Sequence, residues 1–590
     1  MGTQSGTLRW LSLRSTRRRL ILFGSFLVAA CRRTDDVAVP LSPTAVPTVT
    51  VPPTSAPVTV PTPRPAVTPT PRMTPTSRPN RIFVRSRLDE PRSHDFNADA
   101  DCGGEPELFA GLVRLTSDYD VRPEWAERWD VSADGTRWVF TLRRTRAGWS
   151  NGDPVRATDF VWSWRRLLDP AHAAPQAALL DLIGGAQEVR AGLAPPESLA
   201  VRALDEWTLE VELVRPAGYL PWILGTPGLL PAHRASVERF GAAWTEAGNC
   251  VSNGPFRLVS WERGAGYVLS SNPYYWDRST VSLESCTVTI AQGDNPLLPF
   301  FQGRVDFAAV PSDRLPEVTS DEALLVRLQQ SVLPETWFLV VQPDTDLLGR
   351  VELRRALSWA IDRERLRQLL YGAVAPAWTL VPPGIPGHLG DSTVLPDARF
   401  APFEAYRAWE EIRGPGRATL RLTAPAACSG EEETILRDVV GQLARNLGVP
   451  VEVERLQGDA WERVVTEGSF QLLWWRWRLP FPDAAAVYDW LFSRERTALR
   501  GLRWGSDEFE RLIVLARGEV ELARRLGAYR QCELLVQRAC VAIPVVHPVA
   551  TFLVQPWVVG LPRTRDGMVL GPGALFSRFL SSVVLGSRMG

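Results

Sequence analysis

The alternation of apolar and polar residues divides this 590-residue chain into three parts. Residues 1–30 end in an apolar run, Leu20–Ala30, which follows a cluster of arginines. Residues 31–80 are dominated by Pro, Thr, Val and Ser. From residue 81 to residue 590, short strand-like patterns alternate with amphipathic helical patterns. This alternation predicts an α/β chain with mixed β-sheets.

Several elements of residues 81–590 can be placed from their patterns. Strands are expected at 81–87, 138–142 and 449–454, and helices at 351–364, 433–447 and 527–539. A further helix should begin at Thr158–Asp159 as its N-cap and end before Pro170. The apolar face of the helix at 351–364 consists of Leu353, Ala356, Leu357, Ala360 and Ile361.

The first 31 residues have the parts of an export signal. Four arginines between residues 14 and 19 supply the positive charge. The apolar run Leu20–Ala30 is too short to span a hydrocarbon core of roughly 30 Å. The small residues directly before Cys31 resemble a bacterial lipoprotein processing site. This resemblance implies that residues 1–30 are removed as a signal peptide and that Cys31 is lipidated. Ordinary secretion with an incidental cysteine is the alternative.

Residues 31–80 are expected to form a tether. Proline at this density fixes φ and removes backbone donors, so extended polyproline-type conformations are favoured over helix or sheet. A semi-rigid spacer between the membrane and the folded part fits this composition. Plain disorder without a spacing role is the alternative.

Charge and motifs exclude several classes of function. Basic and acidic residues balance at 66 each, and every basic residue is an arginine, so no nucleic-acid partner is expected. The motifs of zinc peptidases, P-loop proteins and dinucleotide-binding proteins are absent, and the five histidines lie in separate segments. We therefore expect no enzyme activity, no metal and no cofactor.

The cysteines permit disulfides but not an obvious metal site. Six remain once Cys31 is set aside, and no pair has the spacing of a zinc or redox motif. Cys250 and Cys286 flank a strand-rich segment and are the favoured disulfide pair. Free buried thiols are the alternative.

The segment Leu108–Pro170 is the most informative part of the chain. Its motifs resemble, in order, the N-terminal third of the oligopeptide/dipeptide-binding family of extracytoplasmic solute-binding proteins, family 5, which serve ABC importers. These motifs are Leu108–Leu112, Pro123, Ala126–Gly135, Trp138–Arg143 and Trp149–Trp164. Further resemblances follow in family order at 253–258 and 271–276, which bracket a hairpin, at 303–307, at 351–364, at 380–387 and at 541–547.

This resemblance implies a periplasmic-binding-protein-like fold with two lobes, a hinge and an extra N-terminal subdomain. The solute-binding domain would span residues 81–590. Lobe I would include about 81–290 plus 546–590, with the inserted subdomain at about 110–205, and lobe II would include about 291–545.

The resemblance also implies where a ligand binds. The candidate ligand-binding residues are Ser93, Asn97, Asp99, Asp101, Trp475, Trp477, Arg478, Phe481 and Asp483. A solvated acidic loop is the alternative for Asp99 and Asp101, and filling of the lobe core is the alternative for the tryptophans. Pro480 stands where family peptide binders carry the aspartate that meets the peptide α-ammonium. We therefore expect a weak or absent dependence on a free amine.

Together these features predict a monomeric, membrane-tethered substrate-binding lipoprotein of the cell envelope. It would capture oligopeptides or a similar solute by lobe closure and deliver them to ABC permease subunits. One alternative is a binder of oligosaccharides or another non-peptide solute. Another is an envelope sensory or interaction protein that has lost transport. An extracellular hydrolase has only the export signal in its support.

Overall fold

The computed structural model describes residues 81–390, 399–412, 418–495, 499–572, 576 and 578–586. The predicted signal peptide, the tether and Cys31 lie outside the described residues. Within those ranges, no helix combines the length and the apolar character needed to cross a bilayer.

Short strands and helices alternate along the described part of the chain. The strands are β1 (Ile82–Arg87), β2 (Val113–Leu115), β3 (Val121–Pro123), β4 (Ala126–Val131), β5 (Arg137–Leu142), β6 (Val201–Asp205), β7 (Thr208–Glu212), β8 (Phe256–Glu262), β9 (Gly266–Ser271), β10 (Ser285–Ile290), β11 (Phe307–Ala309), β12 (Leu328–Val332), β13 (Glu335–Val341), β14 (Val374–Pro376), β15 (Leu420–Pro425), β16 (Val451–Leu456), β17 (Leu472–Arg478), β18 (Ala542–Val554), β19 (Val558–Gly560) and β20 (Val584–Leu585). The helices are α1 (Ala157–Leu167), α2 (Ala186–Arg190), α3 (Leu220–Leu224), α4 (Arg234–Phe240), α5 (Leu298–Phe301), α6 (Leu315–Ser320), α7 (Glu322–Leu325), α8 (Val351–Trp359), α9 (Arg363–Leu369), α10 (Pro402–Ile412), α11 (Gly430–Leu447), α12 (Gly458–Glu467), α13 (Ala485–Val487), α14 (Asp507–Gly518) and α15 (Leu522–Ala539).

A 12-stranded mixed sheet runs through the described part of the molecule and is shared by two lobes. Its main path is β16-β15-β17-β13-β18-β11-β1-β10-β9-β8, and β12 and β14 also pair with β18. The first half of β18 pairs with β13 and β14, whereas its second half pairs with β11 and β12. Strand β18 therefore passes from lobe II into lobe I. The predicted two-lobe α/β architecture is confirmed.

Within the described residues, the chain crosses between the lobes at two adjacent places. One crossing is in β18 near Pro548, and the other is the short link Leu333–Pro334 between β12 and β13. The two crossings are hydrogen-bonded to each other, because the Leu333 N–H donates to the Pro548 carbonyl at 2.8 Å. Pro334 separates β12 from β13, whereas Pro548 stays paired with Val374 of β14 although it has no N–H to donate to the sheet ladder. These features make the two crossings the hinge.

A separate four-stranded antiparallel sheet, β4-β5-β7-β6, lies beside lobe I and packs against α1. The predicted subdomain boundary near residue 205 would separate β7 from this sheet, although β7 pairs with both β5 and β6. We propose that the subdomain extends through Glu212.

The predicted start of α1 is wrong. The helix begins at Ala157, and Asp159 is its third residue rather than part of its N-cap. The Asp159 carboxylate accepts a hydrogen bond from the Arg156 N–H at 2.9 Å. This bond from the third helical residue to the N-cap residue is half of a capping box. The sequence pattern fits an aspartate at the N-cap and an aspartate at the third position equally well.

The helix predicted at 351–364 is also wrong, because α8 and α9 divide it. The Asp362 carboxylate accepts the Arg365 N–H at 3.0 Å and starts the second helix. The helices predicted at 433–447 and 527–539 are confirmed, but they begin earlier. Side chains of Ser429 and Glu521 cap them upstream of the apolar periodicity that located them.

The predicted disulfide is wrong. Cys250 and Cys286 are both free thiols, as are the other described cysteines. Cys286 lies within β10 and is fully buried in the core, whereas Cys250 lies in the loop that leads to β8. Burial raises the pKa of the Cys250 thiol to about 12. A thiol held neutral in this way is unreactive.

Both faces of the lobe II sheet are covered, and this determines where the residues of β17 point. Trp474 belongs to the core that includes residues of α8 and α11, whereas Trp475 and Trp477 belong to the core that includes residues of α12, α14 and α15. A strand buried on both faces loses the alternation of apolar and polar positions.

Candidate functional site

The predicted ligand-binding segments meet near the hinge. The 93–101 loop follows β1 in lobe I, and β17 ends at Arg478 in lobe II. Arg478 NH1 lies 3.5 Å from Asp101 Oδ1, and the two side chains are 40% and 49% exposed. Asp101 and Arg478 are thus brought together as an ion pair between the lobes.

Glu335 holds Arg478 from its own lobe. It is the first residue of β13, directly after the hinge, and the strand register places it opposite Arg478. Arg478 Nε donates to Glu335 Oε2 at 3.0 Å, and Trp337 Nε1 donates to Glu335 Oε1 at 2.7 Å. Burial would lower the pKa of Arg478, but the charges of Glu335 and Asp101 outweigh it and raise the pKa above its ordinary value.

The 93–101 loop is ordered by its own hydrogen bonds. Asp99 forms an ion pair with Arg92 and accepts the Asp101 N–H at 2.9 Å. Arg92 NH2 also donates to the Asp101 carbonyl at 2.7 Å. Ser93 Oγ accepts the Asp95 N–H at 3.2 Å. The loop therefore presents Asp101 in a fixed position, whereas the carboxylate of Asp99 already has a cationic partner.

Asn97 is buried and is not part of the Asp101–Arg478 ion pair. Its amide group donates to the carbonyls of Gly228 and Leu230 at 3.1 and 2.9 Å. These bonds fasten the 93–101 loop to the chain that leaves the subdomain.

The aromatic candidates are all buried. Trp475 stacks on Trp461 with ring centroids 6.0 Å apart and planes 13° apart. Trp477 Nε1 donates to the Ala486 carbonyl at 3.0 Å. Phe481 stacks on Tyr219 at 5.5 Å and 9°. Their positions favour the core-filling interpretation, and their contact with a ligand stays a prediction.

Asp483 forms a fully buried ion pair with Arg525, at 2.7 Å. Asp483 Oδ1 also accepts the Ala485 N–H at 2.9 Å. Arg525 NH1 donates to the Gly218 carbonyl at 2.7 Å, so the pair is covered by chain from the other half of the molecule. A ligand charge cannot reach the Asp483 carboxylate in this conformation.

Residues 120–498 match the family model "Bacterial extracellular solute-binding proteins, family 5 Middle". The chain belongs to this family. The predicted membership in family 5 is confirmed.

Curated relatives cover most of the chain. A probable deoxycholate-binding periplasmic protein, YgiS, of Escherichia coli is 28% identical over 468 residues, 77% of this chain and 85% of the relative. The murein peptide-binding protein MppA of Escherichia coli is 27% identical over 509 residues, 81% and 90% of the two chains. The oligopeptide-binding protein OppA of Salmonella typhimurium is 26% identical over 474 residues, 77% and 84%. These relatives are named as binding proteins rather than as enzymes.

Solved structures support the two-lobe fold of this family 5 protein. The unliganded open form of MppA matches with a TM-score of 0.73 at 23% identity, and 86% of this chain and 97% of that chain are covered. Haemophilus influenzae OppA in complex with the peptide RPPGFSPFR matches with a TM-score of 0.61 at 22% identity, covering 86% and 99%.

Sequence reasoning missed a buried polar network that joins the two halves of this family 5 chain. Tyr219 OH donates to Asp489 Oδ2 at 2.8 Å, and Arg517 Nε donates to the same oxygen at 2.9 Å. Arg215 NH1 lies 2.5 Å from Glu495 Oε1. Tyr219 and Asp489 are 270 positions apart, and each alone reads as an ordinary core or surface residue.

A second buried group, Glu533 of α15, should make stability depend on pH. Its carboxylate accepts hydrogen bonds from Tyr488 OH, from Gln537 Nε2 at 2.9 Å and from the Leu380 N–H. Burial raises the pKa of Glu533 from 4.5 to about 7. The folded state therefore retains a proton that the unfolded chain releases near pH 4.5, and stability falls as pH rises towards 7.

We expect Glu533→Gln to remove this loss. At each pH, the effect of the substitution is the unfolding free energy of the variant minus that of the wild type. This difference should be more favourable to the variant at pH 8 than at pH 5, by on the order of 2 kcal/mol. Denaturant unfolding at the two pH values checks this, with the exposed Glu411→Gln as the matched control. An equal effect of Glu533→Gln at both pH values would contradict the assignment. Glu107 has a pKa raised by burial to about 7 as well, so the variant should keep part of the pH dependence.

Proposed function

We propose that this chain is the substrate-binding subunit of an ABC importer, and that it captures peptides by closing two lobes. Membership in family 5 is the observation that carries this proposal. Two supporting features are the paired crossings near Pro334 and Pro548, which allow the lobes to rotate, and the partly exposed Asp101–Arg478 pair between them. Peptides are the first choice because several relatives are named for peptides.

The receptor is proposed to work at the outer face of the membrane. A lipid on Cys31 would anchor it, and residues 31–80 would place the folded domain above ABC permease subunits. A monomer suffices for this role, because capture takes place between two lobes of one chain.

The ligand is proposed to be held without the amine anchor of peptide binders. Pro480, which stands at the anchor position, has no charge, and the nearby Asp483 is bound to Arg525. Blocking the peptide amine should therefore change affinity little.

A non-peptide solute is the second candidate. It is favoured by the similarity to YgiS, which is named as a probable deoxycholate-binding protein, together with Pro480 at the anchor position. A receptor that has lost transport and serves as an envelope sensor is the rival from another class. Neighbouring permease and ATPase genes would favour transport over the sensor.

A thermal-shift screen of the purified protein tests the proposal. The probes are a pool of tripeptides to pentapeptides, the same pool N-acetylated, neutral maltooligosaccharides and deoxycholate. We expect both peptide pools to raise the melting temperature, because ligand at 100 times its Kd stabilises the folded chain by about 2.7 kcal/mol. A shift with deoxycholate or sugars alone would select the second candidate. No shift with any probe would contradict the receptor function.

A further inference from the structure

Arg478 has two carboxylate partners, and they are held very differently. Glu335 is only 6% exposed and receives a second hydrogen bond from Trp337. Asp101 approaches from the opposite lobe at 3.5 Å, with half of its side chain in water. The contact with Glu335 is therefore fixed, whereas the contact with Asp101 can be exchanged.

The geometry of the guanidinium supports such an exchange. Its Nε donates to Glu335, and NH1 is the nitrogen that faces Asp101. A guanidinium edge binds a carboxylate through two parallel N–H bonds when that edge is free. A long, partly exposed ion pair contributes little by comparison. A ligand carboxylate enclosed between the lobes would bind this edge better than Asp101 does.

Neighbouring charges do not interfere with the exchange. Arg476 lies near Glu335 and Glu432, at 3.6 and 3.2 Å, so it is already among carboxylates. After displacement, Asp101 would return to water beside Arg92, which holds its carbonyl at 2.7 Å. The loop would therefore keep its backbone contacts.

We propose that Arg478 selects ligands that carry a carboxylate, and that Asp101 is an internal competitor which the ligand displaces. For a peptide, the carboxylate would be its C-terminal group. This inference rests on the proposed solute-binding function and deepens it by naming a specificity-determining residue and the ligand chemistry.

The test compares peptides as free acids with the same peptides as C-terminal amides. Pools of N-acetylated tripeptides to pentapeptides keep the amine constant, and calorimetry on the full chain gives the affinities. For the wild type we expect acids to bind ten- to a hundredfold more tightly than amides. Arg478→Gln should reduce this preference to less than threefold. Asp101→Asn should tighten binding of the acids three- to tenfold and leave the amides unchanged.

The opposite signs of the two variants distinguish competition from a structural role. Arg503→Gln, which removes an exposed arginine that pairs with Asp344 on the same lobe, should match the wild type throughout. Two results would overturn this inference and leave the proposed function in place. One is equal binding of acids and amides by the wild type. The other is a similar weakening of acid binding by Asp101→Asn and by Arg478→Gln. If neither acetylated pool binds but free-amine peptides raise the melting temperature, this inference fails and the proposed peptide receptor stands. If no peptide of any kind binds, both fail.

Discussion

Arg525→Ala is expected to lower the free energy of unfolding by about 3–5 kcal/mol. The guanidinium is fully buried, binds Asp483 at 2.7 Å and lies over the ring of Trp222 at 4.3 Å. Its removal leaves the Asp483 carboxylate buried without a cation, which costs far more than the loss of an exposed pair. The Gly218 carbonyl loses a hydrogen bond as well.

Denaturant unfolding followed by tryptophan fluorescence measures this effect. The matched control is Arg524→Ala, one residue earlier in α15, where the side chain is 77% exposed. This control should stay within about 1 kcal/mol of the wild type. If Arg525→Ala kept wild-type stability and lost only ligand affinity, the Asp483–Arg525 pair would belong to the binding site and not to the structure.

Trp475→Ala is expected to lower the free energy of unfolding by about 3–5 kcal/mol, because it opens a cavity in the buried stack with Trp461. Ligand affinity of the protein that remains folded should change less than threefold. The measurements are denaturant unfolding and calorimetry with the peptide pool.

Two variants control for the loss of an aromatic ring. Trp475→Phe keeps a ring in the stack and removes an indole N–H that has no hydrogen-bond partner in the described part of the chain, so it should stay within about 1 kcal/mol of wild type. Phe403→Ala removes a ring that is 70% exposed and should have little effect. Normal stability of Trp475→Ala with abolished binding would show that the indole contacts the ligand.

The family and the overall architecture could be predicted from the sequence alone. The ordered motifs from Leu108 to Pro170 predicted family 5, and residues 120–498 match its model. The predicted hairpin between 253 and 276 is the antiparallel pair β8–β9. These features are local, so their residues specify them without knowledge of distant partners.

The burial of the site residues could not be predicted in the same way. Strand β17 is buried on both faces, so alternation does not reveal which residues point towards a cleft. The partner of Asp483 is 42 positions away, and Tyr219, one of the partners of Asp489, is 270 positions away. Only the fold brings these groups together. The meeting of Asp101 with Arg478 across the hinge also depends on tertiary structure, although both residues were candidates from the sequence.

Small-angle X-ray scattering tests lobe closure most directly. The purified chain is measured alone and with a peptide that raises its melting temperature. We expect the radius of gyration to fall on binding, on the order of 1 Å from about 23 Å for the folded domain. Saturating binding with an unchanged radius of gyration and distance distribution would contradict capture by lobe closure.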